Sequence, residues 1–169
     1  GLGSRVPVPD NPEFDSMRNL GNAPMYDERF ITPMRMELTR LGVEEMRTAD
    51  EVDARLKDAK GTTLVVVNSM CGCAARNARP AVIKALESPA RPDTITTVFA
   101  GQDTAATARA RQYFTGYAPS SPSVALLKDG KLVYMLERHQ IESRSADAIA
   151  KDLESAFEKY CSPAAAANR

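Results

Sequence analysis

Two cysteines separated by one glycine are the residues of this chain best suited to chemistry. Cys71, Gly72 and Cys73 follow an apolar, β-branched stretch at residues 65–67 and precede a segment with the composition of a helix. The first turn of a helix carries exposed backbone amides and the positive end of the helix dipole, and both favour a thiolate over a thiol. A strand that leads into a thiol pair at a helix start therefore predicts thiol–disulfide exchange.

The position of each sulfur predicts its role. If Ser69 caps the helix, Cys71 occupies the second helical position and Cys73 the fourth, so the dipole acts more strongly on Cys71. Cys71 is then the expected nucleophile, and Cys73 is the expected resolving thiol that attacks the mixed disulfide. Gly72 supplies the flexibility that brings the two sulfurs together. Arg76 either stabilises the thiolate or faces solvent.

A Cys-x-Cys pair also occurs in metal sites, which leaves a non-enzymatic alternative open. Such a pair binds Zn²⁺ or Cu(I), but a closed zinc site needs about four ligands. The remaining candidates, Cys161 and the single histidine His139, lie far along the sequence. Redox chemistry without a metal or an organic cofactor is therefore favoured over a metal-binding or redox-sensing module. We expect Cys161 to be semi-buried rather than a third redox thiol, and His139 to be structural or on the surface.

Composition excludes several classes of partner. Lys and Arg number 22, and so do Asp and Glu, so no net charge attracts nucleic acid or an anionic membrane surface. No stretch has the length and apolar character of a membrane span or a signal-peptide core. A free thiol pair suits a reducing compartment. We therefore predict a cytoplasmic protein with no nucleic-acid or membrane partner, as a monomer or as a weak dimer through Met34 and Met36.

Periodicity and turn residues outline one α/β domain. Continuous apolar character predicts a buried central strand at residues 62–68. Further strands are predicted at residues 43–46, 94–100, 124–127 and 132–136. Helices are predicted at residues 27–41, 48–59, 71–87, 103–114 and 145–160. Strands that alternate with helices favour a mixed sheet with a parallel core, and Asp129-Gly130 indicates a final antiparallel hairpin.

Three details complete this organisation. The N-terminal helix is predicted to bury an apolar stripe at a spacing of three or four residues. The members of this stripe are Phe30, Met34, Leu38 and Leu41. Pro80 is predicted to kink the helix that follows the cysteines. Residues 1–16 are interpreted as a disordered arm or vector-derived sequence, 17–161 as the single domain and 162–169 as a frayed tail.

Several blocks of the sequence resemble the bacilliredoxin family of small bacterial thioredoxin-like proteins, over residues 34–161. The blocks are Thr-Thr-Leu-Val-Val-Val-Asn-Ser at 62–69, Cys-Gly-Cys-Ala-Ala at 71–75, Ala-Arg-Pro at 78–80, Val-Phe-Ala-Gly-Gln-Asp at 98–103, Tyr-Phe-Thr-Gly at 113–116, Pro-Ser-Ser-Pro-Ser at 119–123, and Arg-His before Ile-Glu at 138–142. The resemblance implies a thioredoxin-like fold, a mixed sheet flanked by helices, with an extra N-terminal helix.

The same resemblance implies an activity and its residues. The expected activity is a disulfide isomerase or reductase that acts on protein disulfides and removes bacillithiol, a small thiol co-substrate, from thiol-modified proteins. Cys71 would attack and Cys73 would resolve. Pro122 matches the cis-proline of thioredoxin-like proteins, which would turn the backbone N–H and C=O of Ser121 towards an extended substrate; an ordinary trans turn is the alternative. The chain lacks Trp and has a one-residue spacer, so ordinary thioredoxin-type reduction is not expected.

Overall fold

The central strand, Thr62–Asn68, is buried along its whole length in the computed structural model, which describes residues 24–162. The predicted arm at residues 1–16 and nearly all of the predicted tail at 162–169 lie outside these described residues. Polar backbone groups of a buried strand need partners on both sides. The sheet provides them, because this strand pairs in parallel with Thr94–Phe99 and antiparallel with Ser123–Lys128.

The described elements follow the predicted order, with one additional short helix. The helices are α1 (Glu28–Thr39), α2 (Ala49–Leu56), α3 (Arg79–Ala85), α4 (Thr104–Arg111), α5 (Arg138–Ile141) and α6 (Ala146–Tyr160). The strands are β1 (Glu44–Glu45), β2 (Thr62–Asn68), β3 (Thr94–Phe99), β4 (Ser123–Lys128) and β5 (Lys131–Leu136). A π-helical segment (Ala74–Ala78) precedes α3. The short helix α5 has no predicted counterpart.

The sheet separates two apolar cores. Its strand order is β1-β3-β2-β4-β5, in which β1, β3 and β2 are parallel and the last two strands form an antiparallel hairpin. Successive side chains of a strand point to opposite faces. Leu64 and Val66 of β2 accordingly join one core, with α3 and α6, while Val65 and Val67 join the other, with α2 and α4. The predicted mixed sheet with flanking helices is confirmed.

The N-terminal helix α1 is present, but the predicted apolar stripe is correct only for the buried Leu38 and the half-buried Met34 and is wrong for Phe30 and Leu41. Its buried residues are Ile31, Arg35 and Leu38, whereas Phe30 is 69% exposed and Leu41 is 47% exposed. The helix is therefore rotated by about one residue relative to the apolar pattern. An arginine occupies the centre of the buried face.

Arg35 is buried because three carboxylates surround it. Its guanidinium donates to Glu28 at 2.7 Å, to Asp103 at 2.5 Å and to Glu45 at 3.3 Å, and it lies 5.3 Å from the centre of the Phe99 ring. The hydrogen bond from Arg35 is the main reason that the pKa of Glu28 falls to about 2. Charge-assisted hydrogen bonds can therefore outweigh apolar periodicity in setting which face of a helix is buried.

Candidate active site

Strand pairing brings the thiol pair and the proline loop to one edge of the sheet. Val67, near the end of β2, pairs with Ser123 at the start of β4, and Asn68 pairs with Phe99 at the end of β3. The segments that follow β2 and β3 and the segment that precedes β4 must therefore lie side by side. Cys71 and Ser121 line the same cleft of about 310 Å³, as this topology requires.

The Cys71 sulfur lies where several groups favour its ionised form. Burial raises the pKa of this half-buried thiol, but hydrogen bonds from the Ser69 hydroxyl and from the backbone amides of Ala74 and Cys73, with the positive charge of Arg138, outweigh burial and hold the pKa below its ordinary value. The Ser69 Oγ lies 3.2 Å from the Cys71 Sγ. Because the thiolate is the nucleophilic form of cysteine, this arrangement favours attack by Cys71.

The helix begins two residues later than the cap predicted at Ser69. The Cys71 carbonyl accepts hydrogen bonds from the amides of Ala74 at 3.1 Å and Ala75 at 3.2 Å, and helical geometry starts at Gly72. Cys71 itself therefore has the position of an N-cap, where a side chain accepts from the free amides of the first turn. Ser69 acts on the sulfur directly instead of capping the helix.

A buried arginine holds the turn that presents the thiols. Arg79 is 2% exposed and donates to the Asn68 Oδ1 at 3.0 Å, to the Ser69 carbonyl at 2.9 Å and to Glu37 at 2.9 Å. These contacts join α3 to α1 and to the end of β2. Because Glu37 pairs with Arg79, Arg79 stabilises the turn and its positive charge does not act on the cysteines.

The helix that carries the cysteines changes its hydrogen-bond period before Pro80. Within the π-helical segment, the Arg79 amide bonds to the Ala74 carbonyl five residues earlier. Pro80 then takes a position in the first turn of α3, where a missing N–H has the smallest cost. A π-bulge thus precedes this residue, and the predicted kink of the helix axis stays a prediction.

The loop before β4 is held by two arginines. The Ser121-Pro122 peptide bond is cis. The Arg111 Nη2 donates to the Ser120 carbonyl at 3.3 Å, and the Arg138 Nη1 donates to the Ser121 carbonyl at 3.3 Å. Ser121 lines the cleft and Pro122 is buried behind it. The predicted contacts of Ser121 with a substrate backbone stay a prediction, since its carbonyl already accepts from Arg138 and retains one further lone pair.

The remaining residues predicted around the thiol pair lie on the outer side of the turn. Cys73 is half-buried, and Cys71, Cys73 and Cys161 are all free thiols. Gly72 is exposed, and a Cβ atom added to it would lie 2.9 Å from the Arg76 Nη2. Arg76 thus extends over Gly72 and does not line the cleft, so its effect on the Cys71 thiolate stays a prediction.

Two residues singled out in the sequence lie away from this turn. Cys161 is buried at the end of α6, and burial raises the pKa of its thiol. Its expected burial is confirmed. The side chain of His139 is 69% exposed and contacts Glu137 at 2.9 Å, as expected for a surface residue. Neither residue supplies a charge or a hydrogen bond to Cys71.

Within residues 24–162, no cluster of three or more His, Cys, Asp or Glu side chains has an arrangement that would hold a metal ion. None of the helices in the same range is both long enough and apolar enough to cross a membrane.

Arg111 and Arg138 line the cleft, but neither was predicted as a site residue. Arg138 belongs to a block that carries the family resemblance, so that block was an available signal. Arg111 has no local signal, because an arginine in the last turn of a helix is ordinarily a solvated partner of the helix dipole. Both residues reach the cleft only through the packing of α4 and β5 against the central strands.

The pH dependence of Cys71 reactivity should depend on Ser69. Ser69→Ala removes a hydrogen bond that stabilises the thiolate, so we expect the pKa of Cys71 to rise and the alkylation rate below that pKa to fall about fivefold, the equivalent of about 1 kcal/mol. The measurement is the rate of iodoacetamide alkylation of Cys71 against pH, followed by mass spectrometry. Ser69→Thr retains a hydroxyl and should move the profile less. Superimposable profiles for wild type and Ser69→Ala would contradict the assigned role of this hydroxyl.

Comparison with known proteins supports the thiol chemistry. Residues 26–161 match the protein family described as Disulphide isomerase. The chain is 53% identical over 143 residues to a bacilliredoxin of Koribacter versatilis, which covers 85% of this chain and 99% of that protein. It is 57% identical over 138 residues to a bacilliredoxin of Salinibacter ruber, covering 80% of this chain and 81% of that protein.

Solved structures support the fold. Oxidised thioredoxin from Plasmodium falciparum matches with a TM-score of 0.50 at 17% sequence identity, over 71% of this chain and 99% of that one. The thioredoxin-like domain of Arabidopsis NCP also matches with a TM-score of 0.50, at 18% identity, over 73% of this chain and 81% of that one. The predicted thioredoxin-like fold is confirmed.

Proposed function

We propose a specific activity for this chain, which belongs to the bacilliredoxins of the disulphide isomerase family and has the role of a thiol–disulfide oxidoreductase. It isomerises protein disulfides and removes small thiols, bacillithiol among them, from mixed disulfides on proteins. The observation that supports the proposal is the environment of the Cys71 sulfur. It lies in an open cleft, with the Ser69 hydroxyl and two backbone amides as donors. The cycle needs no bound organic cofactor.

The proposed first step is an exchange at sulfur. The Cys71 thiolate attacks the small-thiol sulfur of a mixed disulfide, a new S–S bond forms, and the protein cysteine leaves as a thiolate. The Cys73 thiolate then attacks the Cys71 sulfur, which releases the small thiol and leaves a disulfide between Cys71 and Cys73. Two electrons pass to the substrate, and an external thiol must return them. In isomerisation, the Cys71 thiolate instead attacks a disulfide of the protein, and the released protein thiolate attacks a second disulfide of the same protein. The protein thiolate freed in that step then displaces Cys71, so that no net electrons are transferred.

Cys73→Ser tests the division of labour between the two thiols. This variant should accept the small thiol on Cys71 but should not release it, so we expect a stable adduct at Cys71 with the mass of that thiol. The measurement is intact-protein and peptide mass spectrometry after incubation with a reporter protein that carries a bacillithiol mixed disulfide. The matched control is Cys161→Ser, which should turn over without accumulating an adduct. Turnover by Cys73→Ser at the wild-type rate, or an adduct on another cysteine, would contradict the proposed roles.

The cellular location and the oligomeric state remain predictions. The free thiols favour a reducing compartment such as the cytoplasm. A weak dimer through α1 depends on Met36, which is 47% exposed, and Met34, which is half-buried. Sedimentation at several protein concentrations would measure the association.

A further inference from the structure

Arg111 is a cation in the cleft without an anionic partner. The residue is half-buried at the end of α4 and lines the same cleft as Cys71. Its only hydrogen bond within residues 24–162 runs from Nη2 to the Ser120 carbonyl, and its buried Nε has no partner there. Removing a guanidinium from water without a counter-charge has a free-energy cost. A ligand that supplies an anion would offset this cost.

The rest of the cleft lining adds positive charge and no carboxylate. Arg138 lines the cleft beside Arg111, and no Asp or Glu of the described chain does so. Glu142 pairs with the Arg138 Nε at 3.0 Å, so part of that charge is neutralised, while the Nη1 contacts the Ser121 carbonyl at 3.3 Å. The excess charge of the cleft is therefore centred on Arg111. A thiolate at Cys71 accounts for one negative charge and leaves room for an anion on the substrate.

We infer that Arg111, assisted by Arg138, is the residue that binds a carboxylate of the small thiol in the mixed disulfide and so sets the preference of this cleft for anionic small thiols. This inference rests on the proposed function. A guanidinium presents a planar fork of N–H donors that matches a carboxylate. The cleft volume of about 310 Å³ suits a small molecule and not a folded substrate.

The anion site also determines which sulfur is attacked. When the carboxylate is held against Arg111, the sulfur of the small thiol is the one that lies next to Cys71. The new bond then joins Cys71 to the small thiol, and the protein cysteine leaves as a thiolate carrying the electron pair of the broken S–S bond. The opposite orientation would leave the protein attached to Cys71. The two arginines thus favour removal of the modification over trapping of the protein.

A purely structural role is the competing explanation, because both arginines hold carbonyls of the loop before Pro122. The two explanations differ in one observable. Loss of a loop contact should slow exchange with every disulfide by the same factor. Loss of an anion site should slow exchange most for substrates whose small thiol carries a carboxylate.

The experiment compares one cysteine-bearing reporter peptide linked to 3-mercaptopropionate, 2-mercaptoethanol or cysteamine, which are anionic, neutral and cationic. The second-order rate constant of the protein with each disulfide is divided by the rate constant of dithiothreitol with the same disulfide. This ratio removes differences in the intrinsic reactivity of the three small thiols. We expect wild type to favour the anionic substrate over the neutral one about tenfold, and Arg111→Gln to lose that preference, as for one charge-assisted hydrogen bond. Arg109→Gln, at a half-buried position of the same helix that pairs with Asp53 outside the cleft, is the matched control and should retain it.

Three results would overturn the inference. Wild type without preference among the three substrates would do so, whether or not Arg111→Gln folds. An equal loss on all three substrates in Arg111→Gln would assign the residue to the loop alone. The third result uses a second reporter peptide with an Asp beside its cysteine. If the exchange rate depends on that Asp and not on the charge of the small thiol, the anion that Arg111 binds belongs to the protein substrate. Absence of exchange with every substrate would instead refute the proposed function, and the inference with it.

Discussion

Cys71→Ser is expected to abolish exchange, with a fall in rate of more than about a thousandfold, or about 4 kcal/mol of transition-state stabilisation. A serine hydroxyl is not ionised at neutral pH, and an oxygen nucleophile cannot form the S–S bond that carries the reaction. Ser69 and the amides of the first helical turn donate the hydrogen bonds that lower the pKa of Cys71. In the variant, these donors would no longer stabilise a nucleophile. The measurement is the initial rate of release of a small thiol from a mixed disulfide.

Cys161→Ser is the control for this experiment. Cys161 is a free thiol like Cys71, but it is buried at the end of α6 among apolar side chains. Its replacement should leave the exchange rate within about twofold of wild type, which corresponds to less than 0.5 kcal/mol. If Cys71→Ser kept most of its rate while Cys161→Ser lost it, the active thiol would have been assigned to the wrong end of the chain.

Arg35→Met is expected to produce the largest loss of stability, with a decrease of about 3–5 kcal/mol in the free energy of unfolding. The substitution removes the nearest cation from the carboxylates of Asp103 and Glu45, whose side chains are 8% and 20% exposed. It leaves them the more exposed Arg47, at 3.7 Å and 3.6 Å. Buried carboxylates that lose a partner must be solvated or protonated, and both alternatives destabilise the folded state. Urea unfolding followed by circular dichroism measures the change.

Arg29→Met is the matched control in the same helix. Arg29 also forms an ion pair, at 2.7 Å from Asp27, but its side chain is 87% exposed. Exposed ion pairs contribute at most about 1 kcal/mol, so we expect a change of less than about 0.5 kcal/mol. Equal unfolding midpoints for Arg35→Met and Arg29→Met would show that burial does not set the strength of the Arg35 cluster.

The contrast between these two arginines explains why the predicted face of α1 was wrong. The sequence pattern counted apolar residues, and Phe30 and Leu41 continued a stripe that included Leu38. Arg35 lies on the buried face because Asp103, which is 68 residues away, accepts two hydrogen bonds from it. No local pattern contains that partner.

The central strand and the hairpin could be predicted because their signals are local. The strand predicted at 62–68 from its apolar middle matches β2, and Asp129 and Gly130 have the positive φ angles of a tight hairpin turn. The capping serine of α6 was also recognised, since its side chain accepts from the amide three residues later, Ala148. In each case, the residues that form the structure are neighbours along the chain.

The thiol pair itself was found in the same way, because Cys71 and the free amides of the first helical turn are within three residues of one another. Long-range pairing supplied the rest of the site. Arg138 and Ser121 lie at least 50 residues from Cys71 along the chain, and they reach its cleft because β4 pairs with β2 on one side and with β5 on the other. Local sequence could therefore predict Cys71 as the nucleophile. The charged residues around Cys71 are positioned by the register of the strands. That register depends on the burial of both faces of the sheet at once.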